Sequence, residues 1–182
     1  SISFKKYFSN VDTVRHPVKN IELVTKISKL KDCYVFYTIS EWTNRKGISE
    51  LIEMYLETFD SENVILYIKT FGDIEQKEGE IYIEKIRNRT LSKAKIILNY
   101  DRVDDDYING IHNFGDCYVS STKSEGHGIG ACQAMISGKH VIITAYGGQV
   151  EYLNENSDLI SYTKEKATFC TTWSSKHQKC KD

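Results

Sequence analysis

Within residues 116–151, DCYVSSTKSEGHGIGACQAMISGKHVIITAYGGQVE, a carboxylate and a set of glycines are spaced as a phosphate cradle would need them. The apolar run Cys117-Tyr118-Val119 ends in small polar residues and passes Glu125, Gly126, Gly128 and Gly130. It then gives way to a helical pattern from Ala131 to Ile136. Glycine lets a backbone approach a ligand closely, and the unpaired amides of a helix's first turn favour an anion. Glu125 stands beside that cradle; the competing reading makes it a helix-capping carboxylate. A second strand-like run, 140–144, ends in Gly147-Gly148 before a short helical segment carrying Glu151. Two glycine loops at neighbouring strand ends is the arrangement in which open parallel sheets bind ligands.

Cations converge on the same edge. Arg45-Lys46-Gly47 follows the first strand-like run and opens a helical pattern, so two positive charges oppose a helix dipole unless an anion accepts them. Lys69 ends the second run and is a weaker candidate. Gly126 to Ala131 formally fits the dinucleotide fingerprint G-x-G-x-x-A. The match is poor because that fingerprint belongs after a first strand, and this one follows the fourth. Asp104-Asp105-Asp106 invites a metal reading, but its place just before Tyr107-Ile108 makes it the capped first turn of a helix. His127 and His140 have no sequence partner to orient them as bases, which favours packing or loop roles. No metal site is expected.

The elements that must carry these residues alternate. Strands are expected over 34–39, 64–69, 95–98, 117–120 and 141–144, with a sixth over 159–162. Helices are expected over 47–59, 79–89, 104–113 and 130–137. Repeated βα units of this kind predict an α/β fold, a doubly wound parallel sheet covered by helices on both faces. Residues 1–31 are polar and irregular and hold the only proline, Pro17, so 14–18 reads as a linker and the compact domain as 32–162. Residues 163–182 read as a polar tail or a cut end.

Composition narrows the function classes. The 182 residues are 40% hydrophobic and 27% charged, as in a globular domain. Lys plus Arg number 24 against 25 Asp plus Glu, so no global basic field argues for nucleic acid, and any anion site must be local. No apolar run approaches the roughly 20 residues of a membrane span, and no signal-peptide core stands at the N-terminus. Cysteines at 33, 117, 132, 170 and 180 are odd in number and lack paired spacing. They point to a reducing, cytoplasmic compartment, with Cys33 and Cys117 as small buried residues at strand starts.

Taken together, Ser124-Glu125-Gly126-His127-Gly128, Gln133-Ala134-Met135, Ser137-Gly138-Lys139, Val141-Ile142 and Gly147-Gly148 resemble the nucleotide-sugar-binding half of retaining GT-B glycosyltransferases. Arg45-Lys46-Gly47 falls where that group has its phosphate clamp, and residues 14–18 resemble its interdomain linker. The resemblance covers residues 14–160 and implies a Rossmann-like domain, one half of a GT-B fold. It also implies roles for residues. Arg45, Lys46, Lys69 and the backbone of Gly128, Ile129 and Gly130 would hold the donor diphosphate. Glu125, Gly126 and His127 would meet the donor sugar, with Glu125 as the catalytic residue. Arg102 and Val103 would border the nucleobase, and Gln133 the ribose. The substrate implied is a nucleoside-diphosphate sugar, used without metal or other cofactor.

Two departures stand out. The group commonly has a second acidic residue eight positions after the first, where this chain has Gln133, and an amide loses charge-assisted bonds to ribose hydroxyls. The acceptor-binding N-terminal domain is also missing, so the chain alone is expected to bind a donor and transfer nothing. The alternative reading is a non-catalytic nucleotide-binding or interaction domain, a truncated or decayed relative. A dehydrogenase ranks third.

Overall fold

The computed structural model describes residues 17–18, 32–71 and 75–164. The expected positions Val14, Arg15 and His16, most of the 1–31 linker, Cys170, Cys180 and the segment beyond Lys164 lie outside them. Six strands, β1 (Tyr34–Ile39), β2 (Val64–Lys69), β3 (Lys95–Asn99), β4 (Cys117–Ser120), β5 (His140–Thr144) and β6 (Ser157–Ile160), form one sheet in the order β3-β2-β1-β4-β5-β6. Every adjacent pair is parallel. Four helices connect them: α1 (Ile48–Thr58), α2 (Gln76–Thr90), α3 (Asp105–Phe114) and α4 (Ile129–Ile136), with a 3-10 turn at Gly148–Glu151.

Strand alternation distributes the core over both faces, because successive side chains point to opposite sides. Phe36, Leu66, Ile68, Cys117 and Val119 pack with Trp42 and the inner sides of α1 and α2. Val35, Tyr37, Tyr67, Tyr118, Val141 and Ile143 pack on the other face with α3 and α4, whose Ala131 and Ala134 are buried. The two-layer covering expected from the βα alternation is therefore present. The sixth strand begins two residues earlier than its apolar pattern suggested. Ser157 and Asp158 take part because β5 supplies the ladder, pairing Val141 with Ser157 and Ile142 with Asp158. Cys117 is buried as expected, whereas Cys33 is only half-buried and precedes β1 instead of opening it.

The chain leaves β1 toward β2, then crosses after β3 to the other side of β1 to form β4. Such a reversal opens a crevice beyond the carboxyl ends of β1 and β4. Asp104 caps α3, its carboxylate accepting from the Tyr107 amide at 2.8 Å. Losing that cap costs a helix about 1 kcal/mol. Asp104→Ala is therefore expected to lower unfolding stability by about 1 kcal/mol in a urea titration; a loss of only a few tenths would contradict the cap.

Candidate donor-binding site

The loop after β1 is built around Trp42, which is 1% exposed. Its indole Nε1 donates to Ser49 Oγ at 3.2 Å, and its backbone amide donates to the Phe71 carbonyl at 2.6 Å. A tight turn follows, with the amides of Lys46 and Gly47 both donating to the Thr43 carbonyl. Gly47 then starts α1 with φ 69°, a left-handed conformation that suits glycine, and a Cβ there would sit 2.5 Å from the Ser121 carbonyl oxygen. No motif in the sequence marks Trp42 as the centre of this loop. Its signal was a large apolar side chain inside an otherwise polar strand-to-helix turn.

The loop after β4 is fastened to that turn. Ser121 Oγ donates to the Gly47 carbonyl at 2.7 Å, the Lys123 amide to the Arg45 carbonyl at 2.8 Å, and Thr122 Oγ1 to the same carbonyl at 3.3 Å. Arg45 returns the contact, Nη1 donating to the Ser124 carbonyl at 2.8 Å. Farther out, Lys123 pairs with Glu50. Ser121 and Thr122 were also unassigned by sequence; a hydroxyl pair directly after a strand was the available sign of them.

Arg45, Lys46 and Glu125 meet at the crevice. Lys46 Nζ donates to Glu125 Oε2, and Arg45 Nη1 lies 3.8 Å from the same oxygen. The side chains of Lys46 and Glu125 are 20% and 18% exposed, so water screens this pair less than a surface pair. Burial would raise the Glu125 pKa. The hydrogen bond and charge of Lys46, the Gly126 amide and Arg45 outweigh it and hold the carboxyl below its usual value. The capping reading of Glu125 fails, because α4 has no side-chain cap and the carboxylate is spent on the cations. The anion that the opposed α1 dipole called for is thus supplied by Glu125.

The glycines behave differently from the expectation that they clear space for a ligand. A Cβ at Gly148 would fall on the Gly126 carbonyl, and one at Gly147 on the Glu125 carbonyl; the Gly148 amide donates to that Glu125 carbonyl at 3.1 Å. The Cβ positions of Gly128 and Gly130 are blocked by the hydroxyls of Tyr152 and Tyr118, and only Gly126 faces open space among the three glycines of the β4 loop. Most of these glycines therefore let protein close in behind the loop, which fixes its shape. Gln149 and Tyr152, not foreseen in sequence, do much of this. Gln149 Nε2 donates to the Thr144 and Tyr146 carbonyls, and the Tyr152 hydroxyl donates to the Gly128 carbonyl at 2.9 Å.

The remaining candidates are placed as follows. Ile129 and Gly130 begin α4, and Gly128 is its N-cap at φ 74°. His127 packs against Tyr152 with ring centroids 5.4 Å apart. His140 meets Asp158 across β5 and β6 at 2.9 Å, well away from the β4 loop in strand register. Arg102 is exposed and Val103 half-buried in the loop after β3, two strands from β1 on the same sheet edge, about 10 Å by strand spacing. Lys69 is 6% exposed and directed at carbonyls, its Nζ 3.3 Å from Thr70 O and 3.5 Å from Asn99 O, so it does not join the Arg45–Lys46–Glu125 cluster. Burial lowers its pKa, with the Asp101 carboxylate acting against the shift. Gln133 neighbours the buried His112, whose Nδ1 lies 2.9 Å from the Tyr37 hydroxyl. Burial pushes His112 down to about 4; hydrogen bonding to Gln133 opposes that and the Lys139 charge adds to it, so the ring is neutral at pH 7. His112 Nε2 makes no hydrogen bond of regular geometry, so the Gln133 contact is loose.

The sequence profile of the glycosyl transferases group 1 family matches residues 20–168. The chain belongs to the glycosyl transferases group 1 family. Solved structures with this architecture include the C-terminal domain of a group 1 family glycosyl transferase, LpcC, from Francisella tularensis. The TM-score is 0.61 at 22% identity, over 70% of this chain and 67% of that one. HepE from Anabaena, determined with UDP and glucose, gives 0.60 at 17% identity over 71% of this chain and 35% of its own. Sucrose-phosphate synthase from Thermosynechococcus elongatus gives 0.58 at 21%, over 71% and 33%. At such identities these likenesses bear on fold alone, and the fold is the Rossmann-like half of GT-B glycosyltransferases. The chain spans about a third of HepE and of the synthase. No curated protein matches it. Among the described residues, no helix of this glycosyltransferase chain is long and apolar enough to cross a membrane.

Two expectations follow from the site's geometry. Gly148→Ala drives a methyl group into backbone and is expected to cost about 1–3 kcal/mol in urea unfolding, as overpacking does; a neutral result would mean the β4 and β5 loops are not in contact. Glu125→Gln is expected to be less stable than the parent at pH 7. Because the folded-state pKa of Glu125 is lowered, its stabilisation is complete above the unfolded carboxyl value of about 4.3 and is lost as pH falls through the lowered one. Melting curves of parent and variant should therefore converge in acid; a gap independent of pH would contradict the ion pair.

Proposed function

We propose that this chain is the donor-binding half of a retaining glycosyltransferase that moves a hexose from a nucleoside-diphosphate sugar to an acceptor hydroxyl. The observation that carries the proposal is the meeting of Arg45, Lys46 and Glu125 at the crevice between β1 and β4, beside the first turn of α4. When the bond from the anomeric carbon to the diphosphate oxygen breaks, negative charge collects on the diphosphate. Arg45, Lys46 and the Gly128–Gly130 amides are fixed groups that stabilise such charge without a metal ion. Glu125 is the residue assigned to the sugar hydroxyls, with Gly126 and His127 alongside; Lys69 is a secondary cation at the β2 end of the same edge. Arg102 and Val103 are assigned to the base and Gln133 to the ribose. HepE, a structural neighbour at 17% identity, was determined with UDP and glucose, which favours a nucleotide-sugar substrate for this chain.

The acceptor and the rest of the transfer chemistry are assigned to a second, N-terminal Rossmann-like domain, of which residues 1–31 would be the end and the interdomain linker. Without that domain the acceptor is not positioned, and positioning accounts for about 7–11 kcal/mol of a barrier. The isolated chain therefore binds a donor and does not transfer its sugar, in a reducing, cytoplasmic setting. A second reading, a non-catalytic nucleotide-binding relative, draws on one observation: Gln133 replaces an acid and leans toward His112.

Calorimetric titration tests the donor site. Arg45→Ala with Lys46→Ala is expected to weaken a nucleoside diphosphate by at least about tenfold, the scale of a lost charge-assisted hydrogen bond, while leaving the nucleoside alone unchanged. Equal weakening of both ligands, or no binding by the parent chain, would overturn the assignment.

A further inference from the structure

The two cations assigned to the diphosphate are already occupied, and by the residue assigned to the sugar. Lys46 Nζ bonds Glu125 Oε2, and Arg45 divides itself between that oxygen and the Ser124 carbonyl. Glu125 cannot simply drift away. Its carbonyl is held by the Gly148 amide, the Cβ position of Gly147 is closed by the same carbonyl, and its other carboxylate oxygen accepts from the Gly126 amide at 3.1 Å. What remains free is side-chain rotation, toward the open space in front of Gly126.

We propose that Glu125 is the resident counter-ion of the phosphate clamp, and that a diphosphate enters by displacing its carboxylate from Lys46. This rests on the donor-site reading above. Two cations and one carboxylate leave a local charge of only +1, so a bare diphosphate must crowd a carboxylate in a partly buried site. A carboxylate that loses its cation there needs another donor, because an unpaired buried charge is costly. Sugar hydroxyls on the same ligand supply that donor; a nucleoside diphosphate or pyrophosphate does not. The exchange therefore couples recognition of the sugar to recognition of the diphosphate, and Glu125 sets the preference for the sugar-bearing form. It also favours departure of the sugar-free product, since the carboxylate competes to re-pair with Lys46. In the exchange Lys46 Nζ trades one anionic oxygen for another.

Inorganic pyrophosphate is the deciding probe, since it carries the displacing anion and nothing else. Its dissociation constant would be measured calorimetrically at pH 7 for the parent chain, Glu125→Gln and Glu125→Asp. Glu125→Gln, which removes the competing charge, is expected to bind about fivefold tighter or more, the upper worth of an exposed ion pair being the floor for this less exposed one. Glu125→Asp keeps the charge and should bind no tighter than the parent. A measurement on the parent alone guards against a misfolded variant: the side-chain carboxyl carbon resonance of Glu125 should shift as pyrophosphate saturates the site. Equal affinity for the parent and Glu125→Gln, or a Glu125 carbon that does not move at saturation, would overturn the exchange and leave the diphosphate site standing. Failure of pyrophosphate to bind either chain would overturn both.

Discussion

Lys46 and Glu125 form the contact on which the crevice depends, because it ties the loop after β1 to the loop after β4 at the point where the strand order reverses. In a parallel sheet of this order those two loops have no helix between them to hold them together. Their backbones are fastened by Ser121, Thr122 and Lys123 onto the carbonyls of Arg45 and Gly47, and the ion pair closes the top. A carboxylate set between two cations also resolves the dipole conflict at the start of α1, which otherwise would place like charge on like.

That arrangement explains why glycine recurs so densely here. Three loops, after β1, β4 and β5, converge on one edge with backbone against backbone, and side chains at Gly47, Gly147 and Gly148 would push them apart. Close packing fixes the shape of the loops, and fixed dipoles need no reorganisation when charge develops. Behind these loops the buried Gln149 donates to the Thr144 and Tyr146 carbonyls, and the Tyr118 and Tyr152 hydroxyls donate to the Ile39 and Gly128 carbonyls.

Much of this was legible in the sequence, for definite reasons. Residues 34–39 and 64–69 are continuous apolar runs of strand length, and both strands have those bounds in the structure. The triple aspartate at 104–106 read as a helix start, and Asp104 caps α3. Family membership was carried by the ordered motifs from Ser124 to Gly148. What sequence could not show is who meets whom. Glu125 and Lys46 are 79 residues apart, and no local pattern announces that one neutralises the other. Nor does sequence distinguish a glycine that admits a ligand from one that admits a neighbouring carbonyl, which is why the glycines of both loops were credited to the ligand. Lys69 read as a weaker cation for the anion site because it ends a strand at that edge, yet the register places it between Ile39 and Asn99 in one row across the sheet, where burial and carbonyls take it up.

The central claim is that one anion site lies between the β1 and β4 loops. Backbone amide resonances, followed while a nucleoside diphosphate is titrated into the chain, test it most directly. The largest shifts are expected to fall together on residues 44–47 and 124–130, with the β5 loop following through the Gly148 amide. Shifts concentrated elsewhere, or none at a saturating ligand concentration, would contradict it.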